Sequence, residues 1–210
     1  MMSQFNFLVA ALLLLPALCV GNASGPENVP VDPRPVFMDF LEEYLEVTYT
    51  SRSFNEYVYV SLKNQRLYYV CNGAVQQQYD ISSGRRGVGN YKGSGGTPIG
   101  LHSVYRKIGD KVPEGGIFWH TRYTGRVLDS TYTKNNAITS RIIWLTGEEW
   151  GLNKGGIHDT SERFIYIHGT SGEDSIGKPA SRGCIRMRNA DVVELYPMLE
   201  VGTAIIIADN

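Results

Sequence analysis

Two side chains in the C-terminal half of this 210-residue chain have the types and spacing to do chemistry together: Cys184 and, sixteen residues before it, His168. A thiol beside an imidazole is a nucleophile beside a base, the pairing that acyl transfer through a covalent intermediate requires. The cysteine stands in Ser181-Arg182-Gly183-Cys184-Ile185-Arg186-Met187, where a glycine lets backbone approach a bound group closely just before the thiol. Between positions 175 and 190, Lys178, Arg182, Arg186 and Arg188 are cationic and no residue is acidic. That setting is expected to lower the thiol pKa from its ordinary value of about 8.5 and so raise the thiolate fraction at neutral pH. Arginines also hold carboxylates through paired hydrogen bonds, so an anionic substrate is expected.

The elements that position these residues follow from periodicity. In the run 163–168, alternation puts Phe164, Tyr166 and His168 on one face, with the histidine at the strand's end. Val58, Val60 and Leu62 alternate, as do Leu67, Tyr69 and Cys71, and Asn72-Gly73 offers a two-residue hairpin turn into a strand over 75–81. Further strands are expected over 117–122, 141–145 and 203–208. A short helix is expected over 37–47, where Phe37, Phe40, Leu41, Tyr44 and Leu45 recur at helical spacing. Two glycine-rich polar stretches, 82–100 and 147–160, are expected as loops bordering a cleft.

Composition bounds the reading. The chain can bury one sizeable core, and its 23 glycines and 13 tyrosines, with no long helical repeat, favour short strands joined by tight turns. A net charge of -1 disfavours a nucleic-acid or membrane-surface partner, either of which needs a marked excess of Lys and Arg. Residues 1–26 carry no charged side chain, and the fourteen-residue apolar run 7–20 falls short of the roughly 20 residues that span a bilayer. A secretory signal over 1–23 is therefore expected, with export to the periplasm or cell envelope and no stable membrane span after cleavage. A proline-rich linker and the helix follow over 24–56. The mature chain then retains Cys71 and Cys184, and in an oxidising compartment a disulfide between them is one reading. Cys71 shares a strand face with Leu67 and Tyr69, which favours a buried small apolar residue.

The residues around the cysteine resemble the YkuD-type L,D-transpeptidases. The family pattern, a histidine followed by glycine, a gap of this length, then Ser-x-Gly-Cys followed by Ile or Val, Arg, and Met or Leu, reads here as His168-Gly169-Thr170, Gly177 and Ser181 to Met187. The resemblance continues through Asn189, Asp191, Leu195-Tyr196 and Gly202-Thr203. Upstream it takes in Ser82-Ser83-Gly84 and Thr97-Pro98-Ile99-Gly100, so that it covers about 57–208. Arg182 stands where many members have His, and the segment 101–160 is long for the pattern.

The resemblance implies a mainly β fold, a mixed β-sandwich with a few short helices. It implies Cys184 as nucleophile, His168 as base and the Gly169 carbonyl as the group that fixes the imidazole tautomer. Backbone N–H groups of Gly183 and Cys184 are candidates for the oxyanion site, and Arg182, Arg186, Ser181 and Thr170 for the substrate side. For Arg186 a buried structural ion pair is an equal reading. The implied partners are peptidoglycan stem peptides and, as acceptor, an amine of another stem or of a wall-linked protein; hydrolysis of the same bonds and a non-catalytic wall-binding module are the alternatives. No cofactor or metal is implied, and His102, His120 and His158 lack paired-ligand spacing. The order His before Cys is the reverse of papain-like peptidases.

Overall fold

The computed structural model describes residues 37–132 and 136–210. The expected signal segment and most of the proline-rich linker lie outside them. A short helix, α1 (Phe37–Thr48), precedes a meander of β1 (Glu56–Ser61), β2 (Arg66–Cys71) and β3 (Ala74–Asp80). After the loop over 81–99 come β4 (Gly100–Ile108), the hairpin β5 (Gly116–Trp119) and β6 (Arg122–Val127), and the long β7 (Ile138–Gly147). The site-bearing strands β8 (Tyr166–Thr170) and β9 (Ile185–Met187) follow, then α2 (Asn189–Leu195) and β10 (Ala204–Ala208). The fold is mainly β, with two short α-helices.

All ten strands join one mixed sheet. Its path runs β3-β2-β1-β10-β4-β7-β5-β6, and β8 pairs with β7 while β9 pairs with β8. The β1/β10 and β8/β9 pairs are parallel and the rest antiparallel. The β2–β3 turn is the expected one: Asn72 and Gly73 have φ of 52° and 71°, the paired left-handed conformations that match the twist of a two-residue hairpin.

Alternate residues from the meander and from β7, β8 and β9 meet in one core. Val58, Val60 and Leu67 from the meander pack with Ile143, Leu145, Ile167, Ile185 and Met187 from the site strands, so the sheet curls over a single interior in the manner of a sandwich. The other face of the meander is also buried, because Met38, Leu41 and Leu45 of α1 cover Tyr57, Tyr59, Tyr68 and Val70. Five of the six residues of β1 are therefore buried although their side chains alternate.

Candidate active site

Residues of β8 and β9 sort by face. Ile167 and Ile185 are paired in register and point into the main core, as do Ile165 and Met187. The intervening residues point the other way: His168 pairs with Arg186, and Cys184, just before β9, packs against the cluster that holds Tyr166 and takes a hydrogen bond from the Tyr166 N–H. Paired residues of parallel strands share a face, so Tyr166, His168, Cys184 and Arg186 form one cluster. Strand spacings of about 4.8 Å across and about 6.6 Å per two residues along place the Cys184 and His168 backbones roughly 8 Å apart on that face.

His168 stands in the middle of β8, not at a strand end, because Phe164 adopts a left-handed φ of 58° and the strand begins only at Tyr166. Its ring is 4% exposed. Nδ1 lies 2.7 Å from the Gly169 carbonyl oxygen, which can only accept, so Nδ1 carries the proton and Nε2 is left as the base. Burial pushes the imidazole pKa down to about 4; the Gly169 carbonyl opposes that and the Arg186 guanidinium adds to it.

The thiol differs from its expectation. Burial pushes the Cys184 pKa up, and the Tyr166 N–H, Arg186 and Arg163 pull it down by less. The cations that crowd the sequence do not all crowd the sulfur: Arg188 pairs with Asp80 at 3.6 Å and Asp191 at 3.7 Å, and Lys178 is exposed. The resting pair is a neutral thiol beside a neutral imidazole, with Sγ donating to the Phe164 carbonyl at 3.4 Å. Cys184 carries a free thiol, and no disulfide links it to Cys71. Cys71 is buried on β2. An aromatic wall flanks the sulfur, with Trp144 set edge-on to Tyr166 at 5.3 Å and tilted against Phe164 at 5.7 Å.

The turn that presents Cys184 is fixed by Ser181. Its hydroxyl accepts from Gly183 N–H at 3.0 Å and donates to the Cys184 carbonyl at 2.6 Å. Ser181 is 1% exposed and its hydroxyl is engaged inside the chain. The Gly183 N–H is thereby engaged by the Ser181 hydroxyl. Gly183 itself, at φ 128°, passes so close to the Gly96 carbonyl that a Cβ would lie 2.9 Å from its oxygen. Thr170 is 0% exposed, its Oγ1 accepts from Gly172 N–H at 3.2 Å, and its carbonyl accepts from Asn189.

Asn189 is a residue that sequence reasoning left without a role. Its carboxamide oxygen accepts from Thr139 and Ser140 at 2.6 Å each, while its nitrogen donates to Thr170 O at 3.0 Å and Glu173 at 2.6 Å. That network clamps β7 and β8 around Gly169, where a Cβ would sit 2.7 Å from the Thr139 oxygen and 2.8 Å from Asn189 Oδ1. Gly169→Ala is expected to lower stability by roughly 1–3 kcal/mol through overpacking, a fall in Tm of roughly 3–10 °C by thermal unfolding. An unchanged Tm would show that β7 yields freely there.

The loop 81–99 is pinned to the nucleophile segment. Ser82 and Arg186 exchange both backbone hydrogen bonds at 2.9 Å, Ser181 N–H donates to Ser83 O at 2.8 Å, and Arg85 N–H donates to Ser181 O at 3.0 Å. The second expected loop reaches the first through His158, whose Nδ1 donates to Asn90 O at 2.8 Å. His102 is buried, its ring nitrogens bonded to Gly100 O and the Thr160 hydroxyl. Arg186 is 8% exposed, and among the described residues no carboxylate pairs with it, so the structural ion pair is not found. Arg182 is exposed beside the sulfur-bearing turn.

Comparison with known proteins bears on this arrangement. The YkuD family model, described as L,D-transpeptidase catalytic domain, matches residues 55–207. The chain is 36% identical over 113 residues to YqjB of Bacillus subtilis, assigned as an L,D-transpeptidase, across 53% of this chain and 60% of that protein. It is 51% identical over 47 residues to YkuD of Bacillus licheniformis, with the same assignment, across 22% of this chain and 28% of that protein. The chain thus matches less than two thirds of the length of these relatives. Among solved structures, L,D-transpeptidase 3 from Mycobacterium tuberculosis superposes with a TM-score of 0.47 at 15% identity, over 74% of this chain and 61% of that one. With the family match spanning both site strands, this chain belongs to the YkuD family of L,D-transpeptidase catalytic domains.

Proposed function

We propose that the chain transfers the acyl group of a peptidoglycan stem tetrapeptide through a thioester on Cys184, releasing D-alanine. The observation that carries this reading is the shared face of β8 and β9, on which a free thiol lies diagonal to an imidazole with its Nδ1 proton fixed by Gly169. Because both groups are neutral at rest, the proton moves as the bond forms. Sγ attacks the carbonyl carbon, its proton passes to His168 Nε2, and the C–N bond to D-alanine breaks as the imidazolium returns that proton to the departing amine. An acceptor amine then attacks the thioester, a new C–N bond forms, the C–S bond breaks and the thiol is regenerated. With Gly183 N–H engaged by Ser181, the Cys184 N–H is the proposed oxyanion donor.

The acceptor is taken to be an amine of a second stem or of a wall-linked protein, and the workplace the periplasm or envelope, which the apolar run at the N-terminus supports. Mass spectrometry of products from a tetrapeptide-bearing wall fragment, with and without added amine acceptor, tests the transfer. Amide-joined product that grows with acceptor concentration is expected; release of tripeptide alone at high acceptor would make the enzyme a hydrolase.

A further inference from the structure

Next to the nucleophile lies a cavity of about 340 Å³ whose lining is strongly cationic: Arg85, Arg86, Lys92, Arg163 and Arg182 against the single acid Glu162. It adjoins the site directly, since Phe164, whose carbonyl receives the thiol, and Arg182, two residues before Cys184, both line it. Among the described residues none of the five cations has an ion pair, although Arg66 and Arg188 on the same domain both do. Five cations brought together at one cavity against one acid repel one another, a cost that an anionic ligand would relieve.

Arg163 marks where that ligand reaches. Its Nη2 donates to Gly89 O at 2.7 Å and Gly96 O at 3.1 Å, which ties the guanidinium plane to the loop 81–99. Its Nη1 is buried with no hydrogen-bond partner. A buried donor without a partner is costly, and a charged one more so, unless a bound group completes it. The guanidinium also acts electrostatically on Cys184, and Phe164, the next residue along the chain, carries the carbonyl that receives the thiol. A planar carboxylate matches its geometry, since a guanidinium presents paired N–H groups in a fixed fork.

We propose that this cavity is a carboxylate site for the acyl donor, with Arg163 at its inner end and Arg85, Arg86 and Lys92 at its mouth, and that it makes the enzyme select stem peptides with free carboxylates over amidated ones. The inference rests on the stem-peptide reading above and adds the donor's chemical form to it. Two carboxylates could fill the site, one within the stem and the C-terminal one of the departing D-alanine. Both are the same chemistry, and selective amidation separates them.

The test reads binding on Cys184→Ala protein by calorimetric titration with three synthetic tetrapeptides: fully free, amidated at its internal carboxylates, and amidated at its C-terminus. At least one amidated form is expected to bind about 10-fold more weakly than the free peptide, as the loss of one charge-assisted pair implies. Raising salt should narrow the gap, because the mouth of the cavity is open to solvent. Adding Arg86→Gln together with Lys92→Gln, both exposed, should weaken the free peptide more than the amidated one and so narrow the gap, and adding Arg163→Gln, in protein whose Tm shows the fold intact, should close it. Equal affinities for all three peptides, or a gap left unchanged by the double substitution and by Arg163→Gln, would overturn the proposal. Since binding is read on a protein without its thiol, these outcomes stand apart from the transfer reading, which D-alanine release by the wild type tests separately.

Discussion

Cys184→Ala protein is expected to release D-alanine from a tetrapeptide donor about 1,000-fold or more slowly than the wild type, because removing a nucleophile removes the covalent route itself. The fold should survive. Cys184 is only partly buried, and its sulfur packs at the edge of a small cluster of Phe118, Ile142 and Tyr166, so truncation leaves a shallow gap costing about 1 kcal/mol or less. A Tm within a few degrees of wild type, together with lost turnover in a coupled D-alanine assay, would assign the loss to chemistry. Retained turnover would place the nucleophile elsewhere.

His168→Ala is expected to slow the same reaction by about 100- to 10,000-fold, the usual range for a lost general base. Its pH dependence carries more information than its size. The imidazole is held down at about 4 by burial, so in the free enzyme it is the neutral base across the range where an unperturbed histidine of about 6.5 would be gaining a proton. Protonation as pH falls through that value removes the base, so the acid limb of kcat/KM should fall near pH 4, with activity kept at pH 5.5. An acid limb near 6.5 would indicate a solvated imidazole or a thiolate–imidazolium pair. In His168→Ala protein the limb should vanish, and residual activity should rise with pH as the thiol ionises.

That neutral pair illustrates what the sequence could and could not convey. The motif at 168–170 and 181–187 was legible because its residue types have few other uses together, and the hairpin at Asn72-Gly73 was legible because two left-handed residues in succession demand such side chains. The thiol's direction was not. Four cations within sixteen residues look like one electropositive patch, but Arg188 is drawn to Asp80, which the meander brings from a hundred residues away, and burial outweighs the arginines that remain. Arg163, one of the two arginines that act electrostatically on the sulfur, is in the sequence only the polar residue that opens an apolar run.

Elements failed to announce themselves for similar reasons. The strand β4 carries His102 and Ser103 amid its apolar residues, and both are buried because partners distant in sequence satisfy them, Thr160 for the histidine and Glu148 for the serine. A periodicity count treats them as breaks. β9 is three residues long and holds its place only because β8 and Ser82 flank it, so no local pattern could mark it. The motif places Ser181 and Thr170 near the thiol and the imidazole but says nothing of the turns their hydroxyls hold. The identity of a residue in a motif does not say which way its oxygen points.

The most direct test of the central claim is the intact mass of wild-type protein quenched in acid during its first turnovers on a tetrapeptide donor without acceptor amine. The predicted result is a species heavier by the tripeptide acyl group, mapped by peptide fragmentation to Cys184, removed by hydroxylamine as a thioester should be, and absent from Cys184→Ala protein. Undiminished D-alanine release with the adduct on another residue would contradict it.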